Sequence, residues 1–119
     1  MIPTLARQDL EREDVDGVTV VRLTARRLEE EGHVRALFQE VVALVGAGHP
    51  NLVLNFRRVE YLASVVIGKL VMLHRKVRAA EGRLALCHLS PAIEEALEVM
   101  HLKEIVPSYG SEQEALRSF

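Results

Sequence analysis

Apolar residues fall alternately in short dense runs and in helical steps along the chain. Val18, Val20, Val21 and Leu23 form one dense run, with a more polar stretch before it that ends at Val15. Between them Asp16-Gly17 supplies residue types that accept the positive φ angles of a two-residue turn, which predicts a hairpin of strands over residues 10–15 and 18–24. From Leu28 to Ala47 the period changes: Leu28, Val34, Leu37, Phe38, Val41, Val42, Leu44 and Val45 recur at three- and four-residue steps. Glu29, Glu30 and Glu31 crowd the first turn, where negative charge suits the positive end of a helix dipole. Gly46, Gly48 and Pro50 then stop a first predicted helix.

Leu52, Val53, Leu54 and Phe56 make a nearly continuous apolar run, the mark of a strand buried on both faces of a sheet. A helix is predicted from Ser64 to Ala80, closed by Glu81-Gly82, and then a strand over residues 83–89. Ser90-Pro91 opens another helix, because serine caps free amides and proline has none to satisfy; it runs through Ile93, Ala96, Leu97 and Met100 toward Leu102. A short strand at residues 105–106, ended near Pro107, precedes a last helix over residues 111–117. There Ser111 and Glu114 fit a capping box, with Glu114 reaching back to the cap amide. Residues 1–9 carry little pattern and read as a loosely held arm. Two antiparallel strands followed by alternating helix and strand imply one mixed sheet with right-handed helical crossovers, a layered α/β or α+β fold.

Composition narrows the classes. With 119 residues the chain builds one core, so residues 1–119 read as a single domain. A share of 49% apolar and 27% charged residues sets aside a disordered chain. The net charge of −2 with interspersed signs gives no footprint for nucleic acid, and three Phe, two Tyr and no Trp give no stacking platform. No apolar run approaches the roughly 18 residues of a membrane span, and the N-terminus lacks a signal-peptide core, so a cytoplasmic protein without membrane insertion is expected. Cys87, alone and within the apolar run Leu84-Ala85-Leu86-Cys87, reads as a buried, inert thiol.

Chemistry is sparse. His33, His49, His74, His88 and His101 are scattered with no pair at metal-ligand spacing, and Glu29–Glu31 and Glu94-Glu95 read as solvated helix starts. Gly46-Ala47-Gly48 ends a helix and does not open one, so it is no phosphate loop. No cofactor and no catalysis are expected; an enzyme would need a pocket joining His88, Ser64 and Asn55. Ser64 stands out, at the join of a strand, a short connection and a helix. It reads either as a helix cap or as a hydroxyl whose phosphorylation would meet free amides and add about −1.5 to −2 charges.

These residues resemble the STAS domain, shared by bacterial anti-sigma-factor antagonists and the cytoplasmic tails of sulfate transporters. The resemblance runs from about Glu11 to Leu116 and is strongest over VLNFRRVEYLASVVIGKL, EGRLALCHLSPAIEEAL and LKEIVPSYGSEQEAL. It implies a mixed sheet of four to five strands with helices mainly on one face. Asn55 takes the family's strand-end position, and residues 63–68 take the hexad Asp-Ser-Ser-Gly-Leu-Gly, so Ser64 matches the serine offered to a partner kinase. Ala63 replaces the acid and Val66 the glycine of that hexad. The implied mechanism is partner switching: the chain docks on an anti-sigma factor with a serine kinase fold, which binds the ATP, through Ala63, Ser64, Val65, Val66 and Lys69, and phosphorylation of Ser64 releases it. The other role the family allows is an unphosphorylated scaffold or accessory subunit of a signalling or transport complex.

Overall fold

The computed structural model describes residues 9–119. The expected loose arm lies outside the described residues except for Asp9, whose carboxylate meets His33 Nε2 at 2.6 Å and whose carbonyl accepts from the Thr24 amide.

Strands β1 (Leu10–Val15) and β2 (Val18–Leu23) form the predicted hairpin, with Asp16 and Gly17 both at positive φ. Strands β3 (Arg27–Leu28) and β5 (Tyr61–Leu62) are two residues each and pair in parallel as a separate ribbon that the apolar pattern does not announce. Strands β4 (Leu52–Asn55), β6 (Leu84–Cys87) and β7 (Ser108–Tyr109) complete a five-stranded sheet in the order β1-β2-β4-β6-β7. The hairpin is antiparallel and the remaining pairs are parallel.

Helix α1 (Glu31–Gly46) starts three residues later than its pattern, because the Glu30 carboxylate caps it by accepting from the Gly32 and His33 amides while Leu28 is taken into β3. Helix α2 is Ser64–Ala79, α3 is Pro91–Val99 and α4 is Glu112–Arg117. Ser90 caps α3 at Ile93 N, as its Ser-Pro start predicts. That helix stops short of Leu102 because His101 turns left-handed at φ 59°, and Leu102–Glu104 forms a separate 3₁₀ turn. The strand expected at residues 105–106 falls instead at Ser108–Tyr109: Val106 is buried and Ile105 exposed beside the 3₁₀ turn, and the chain extends only after Pro107. In α4 the Ser111 hydroxyl accepts from the Glu114 amide as the capping box requires, but the Glu114 carboxylate reaches the Gly110 amide, one residue before the cap.

Alternation along β4 and β6 builds both faces. Leu52, Leu54, Leu84 and Leu86 join the main core with Phe38 of α1, Leu70 and Leu73 of α2 and Ile93 and Leu97 of α3. Val53, Ala85 and Cys87 join a smaller one with Val18, Val20 and Ala115 of α4. Three helices therefore cover one face and a single short helix the other. At about 25 cal/mol per Å² of apolar surface, a fully buried leucine contributes about 2 kcal/mol, so the large cluster carries most of the stability.

Candidate functional site

The ribbon of β3 and β5 sets the mouth of α2. The Glu60 amide donates to Arg26 O and the Ala63 amide to Leu28 O, which holds Ala63 extended at φ −86° and ψ 164° as the residue before the helix. Phe56 and Val59, both buried, pin the connection from β4 beneath it. On the outside Arg27 stacks over the Tyr61 ring at 4.7 Å and pairs with Glu29, and Arg26 pairs with Glu60.

Ser64 is thus the first residue of α2 and not its cap. The cap position belongs to Ala63, which has no side chain able to accept, and the Ser64 hydroxyl makes no hydrogen bond among the described residues. It is exposed, at the positive end of a 16-residue helix whose first turn holds no acid. Its chain neighbours Ala63 and Val65 are half-buried, and so is Lys69, five residues farther along the helix. Val66 does not reach the surface: it is 0% exposed and packs with Ile67, Leu70, Leu73 and Val77 on the inward stripe of α2, so the expectation that it touches a partner is corrected.

A second concave site opens at the carboxyl ends of β2, β4 and β6, an open cleft of about 360 Å³ lined by Arg22, Asn55, Arg57, His88 and Glu112 among others. The Glu112 carboxylate accepts from Arg22 Nε at 2.6 Å, from a second Arg22 nitrogen at 2.9 Å and from Asn55 Nδ2 at 2.6 Å. Asn55 Oδ1 accepts from the Arg57 amide at 2.8 Å, so both ends of its side chain are occupied. The Arg22 hydrogen bond holds the Glu112 carboxyl below its ordinary value, against the upward push of burial, with Asn55 helping. Arg22 is correspondingly raised.

The cleft brings Asn55 and His88 together as an enzyme would need, but Ser64 is not among its lining residues, and the Asn55 amide is committed to Glu112. Cys87 lies buried beneath it, and burial pushes its thiol up to about 12, far from a reactive thiolate. The remaining histidines stand apart. His33 meets Asp9, His49 meets Arg12 and His101 meets Glu104, while His74 on α2 has a shielded Nδ1 without a partner and a pKa lowered by burial. Among the described residues no helix is long and apolar enough to cross a membrane.

Comparison with known proteins agrees with this architecture. The chain is 26% identical over 110 residues to BtrV of Bordetella bronchiseptica, provisionally named an anti-sigma factor antagonist, covering 92% of this chain and 93% of that one. It superposes with a TM-score of 0.83 on an anti-sigma-factor antagonist (STAS) domain protein from Planctomyces limnophilus, at 29% identity over 92% of this chain and 97% of the other. Bacillus SpoIIAA in its phosphorylated form shares the fold at 21% identity, with a TM-score of 0.69 over 92% and 97% of the two chains. The STAS domain profile matches residues 9–115, nearly all of the chain. With that match on top of the shared sheet and helix order, the chain belongs to the STAS domain family.

Proposed function

We propose that this chain is an anti-sigma-factor antagonist that binds an anti-sigma factor with serine kinase activity and is released when that kinase phosphorylates Ser64. The observation that carries the reading is the exposed Ser64 hydroxyl at the first position of α2, without a hydrogen bond among the described residues and with no acid in the first turn of the helix. The names borne by BtrV and the Planctomyces protein support the antagonist role, and the phosphorylated form of SpoIIAA supports the modification. In the transfer the Ser64 oxygen bonds to the γ-phosphorus of the partner's ATP, the bond to the β-phosphate oxygen breaks, ADP leaves, and the hydroxyl proton passes to a base on the kinase. On this reading the nucleotide and the catalytic base belong to the kinase, and this chain supplies the acceptor hydroxyl.

The electrostatics act in opposite directions in the two states. Free in solution, a phosphate at the first helical position sits against the positive end of α2 and stabilises the chain by about 0.3–1 kcal/mol. Docked, it brings roughly two negative charges to a contact formed with the half-buried Ala63 and Val65. Desolvating that charge without a partner costs several kcal/mol. Ser64→Asp is therefore expected to weaken binding to the serine-kinase anti-sigma factor of the same genome at least tenfold by calorimetry, while Ser64→Ala binds like the wild type. The melting temperature of either variant should stay within about 3 °C of wild type, the shift that less than 1 kcal/mol produces in a domain of this size. Equal affinity of wild type and Ser64→Asp would end the switching account.

A further inference from the structure

The 16 residues of α2 hold Lys69, Arg75, Lys76 and Arg78 and no acid, in a chain whose net charge is −2. Beside this cationic helix an open groove of about 290 Å³ runs between α1 and α2. Phe38, Val42 and Met72 make its apolar floor, and Arg35, Lys69 and Lys76 stand at its rim. Met72 is 36% exposed, and the three rim cations form no ion pair and no side-chain hydrogen bond among the described residues. Among the described residues no acid lines the groove.

The groove is continuous with the mouth of α2. Ser64, Gly68, Met72 and Lys76 follow one another at four-residue steps along the helix, so they form one ridge, and Ser64 lies about 12 Å from Met72 at 1.5 Å per residue. Gly68 keeps the ridge low between them: it is exposed, and a Cβ there would meet nothing within 4 Å. A protein surface of ordinary interface size, about 800 Å² per partner, spans both the hydroxyl and the groove.

We infer that the α1–α2 groove seats an apolar side chain carried on an acidic segment of the protein that reads Ser64. The inference rests on the proposed function for the partner's identity and adds the chemistry of its docking segment. The unpaired cations at the rim supply charge complementarity, which sets orientation and association rate. The adaptable thioether of Met72 closes over an inserted aliphatic or aromatic group. A concave floor with one exposed methionine suits a single side chain better than a lipid surface, which would call for a convex apolar face.

The test uses the full chain, ¹⁵N-labelled, titrated with a synthetic peptide carrying two leucines among six glutamates, with the same peptide bearing lysines for the glutamates, and with phosphatidylglycerol vesicles. The acidic peptide is expected to shift the amides of Val42, Lys69, Met72 and Lys76, with the shifts lost in Lys69→Glu/Lys76→Glu and weakened by salt. In parallel, the same double variant should bind the serine-kinase anti-sigma factor at least tenfold more weakly while melting like the wild type. No shift at these four residues, equal shifts from the lysine peptide, or shifts from the vesicles alone would overturn the inference. Kinase binding unchanged in Lys69→Glu/Lys76→Glu but lost in Ser64→Asp would remove the groove and leave the switch standing; binding unchanged in both variants would remove the switch as well.

Discussion

Gly82→Ala is expected to lower stability by about 3 kcal/mol, at the upper end of what overpacking a well-filled site costs. A Cβ at position 82 would stand 2.6 Å from Pro50 Cβ and nearer still to the Pro50 carbonyl, which is backbone and has no rotamer to move away. Pro50 precedes β4 and Gly82 precedes β6, so the contact lies where the two central strands begin. Its neighbours are tied across the same gap: the Arg83 amide donates to Asn51 Oδ1 at 3.1 Å and the Leu52 amide to Arg83 O at 2.9 Å. Moving Pro50 outward loosens both bonds and the end of the β4–β6 ladder with them. Glu81, before the glycine, is already left-handed at φ 62°, and the Gly82 amide closes α2 on Val77 O, so the connection has no slack. Urea unfolding should show a midpoint lowered by about 1.5 M with an unchanged slope, for a slope near 2 kcal/mol/M. A midpoint within about 0.3 M of wild type would mean that the loop before β4 yields easily. Because Ser64 lies at the opposite end of α2, partner binding measured well below the melting transition should be unaffected.

The parts of the fold that were legible are those whose residues repeat. Leu52–Asn55 and Leu84–Cys87 read as two-sided strands because every position is buried, and α1, α2 and α3 read as helices because their apolar residues return every three or four positions. The ribbon of β3 and β5 was not legible. Two residues carry no period, and the pairing of Arg27–Leu28 with Tyr61–Leu62 is a backbone event between segments 34 residues apart. The apolar pair Ile105-Val106 misled for a related reason, since one buried valine beside a 3₁₀ turn looks like half a strand. At the candidate site the place of Ser64 followed from the strand–connection–helix order, but its rank as first helical residue depends on the Ala63–Leu28 hydrogen bond, which lies outside any local pattern. The burial of Val66 is legible in the helix phase: it stands four residues before Leu70 and seven before Leu73, on the inward stripe, which conflicts with a partner contact through it.

Glu112→Ala should cost about 2–3 kcal/mol and, more tellingly, should open the second face of the sheet. The carboxylate joins residues far apart in sequence, Arg22 of β2 and Asn55 of β4, to the first turn of α4. Removing it leaves Arg22 with Glu13 alone and strands the Asn55 Nδ2, on a residue 5% exposed, without its acceptor. Most of the loss comes from those orphaned donors, because the Arg22 side chain is one-third exposed and its attraction is partly screened. Helix α4 has only six residues and cannot hold itself, so it depends on this bond and on Ala115 and Leu116 in the small core around Val53, Ala85 and Cys87. Cys87 reports the opening: unreactive toward a thiol reagent at pH 7.5 in the wild type, it should be labelled at least tenfold faster in Glu112→Ala under native conditions. The same pair sets an acid limit. The Glu112 carboxyl titrates below its ordinary value of 4.5 when folded and near it when unfolded, so its contribution is complete above that value and disappears as pH falls through the lower, folded one. Wild-type stability should therefore fall more steeply as the pH drops below 4.5 than that of Glu112→Gln, which has no charge there to lose. Equal labelling rates and parallel acid curves would show that α4 is held by its apolar contacts alone, with the Arg22–Glu112–Asn55 bridge a bystander.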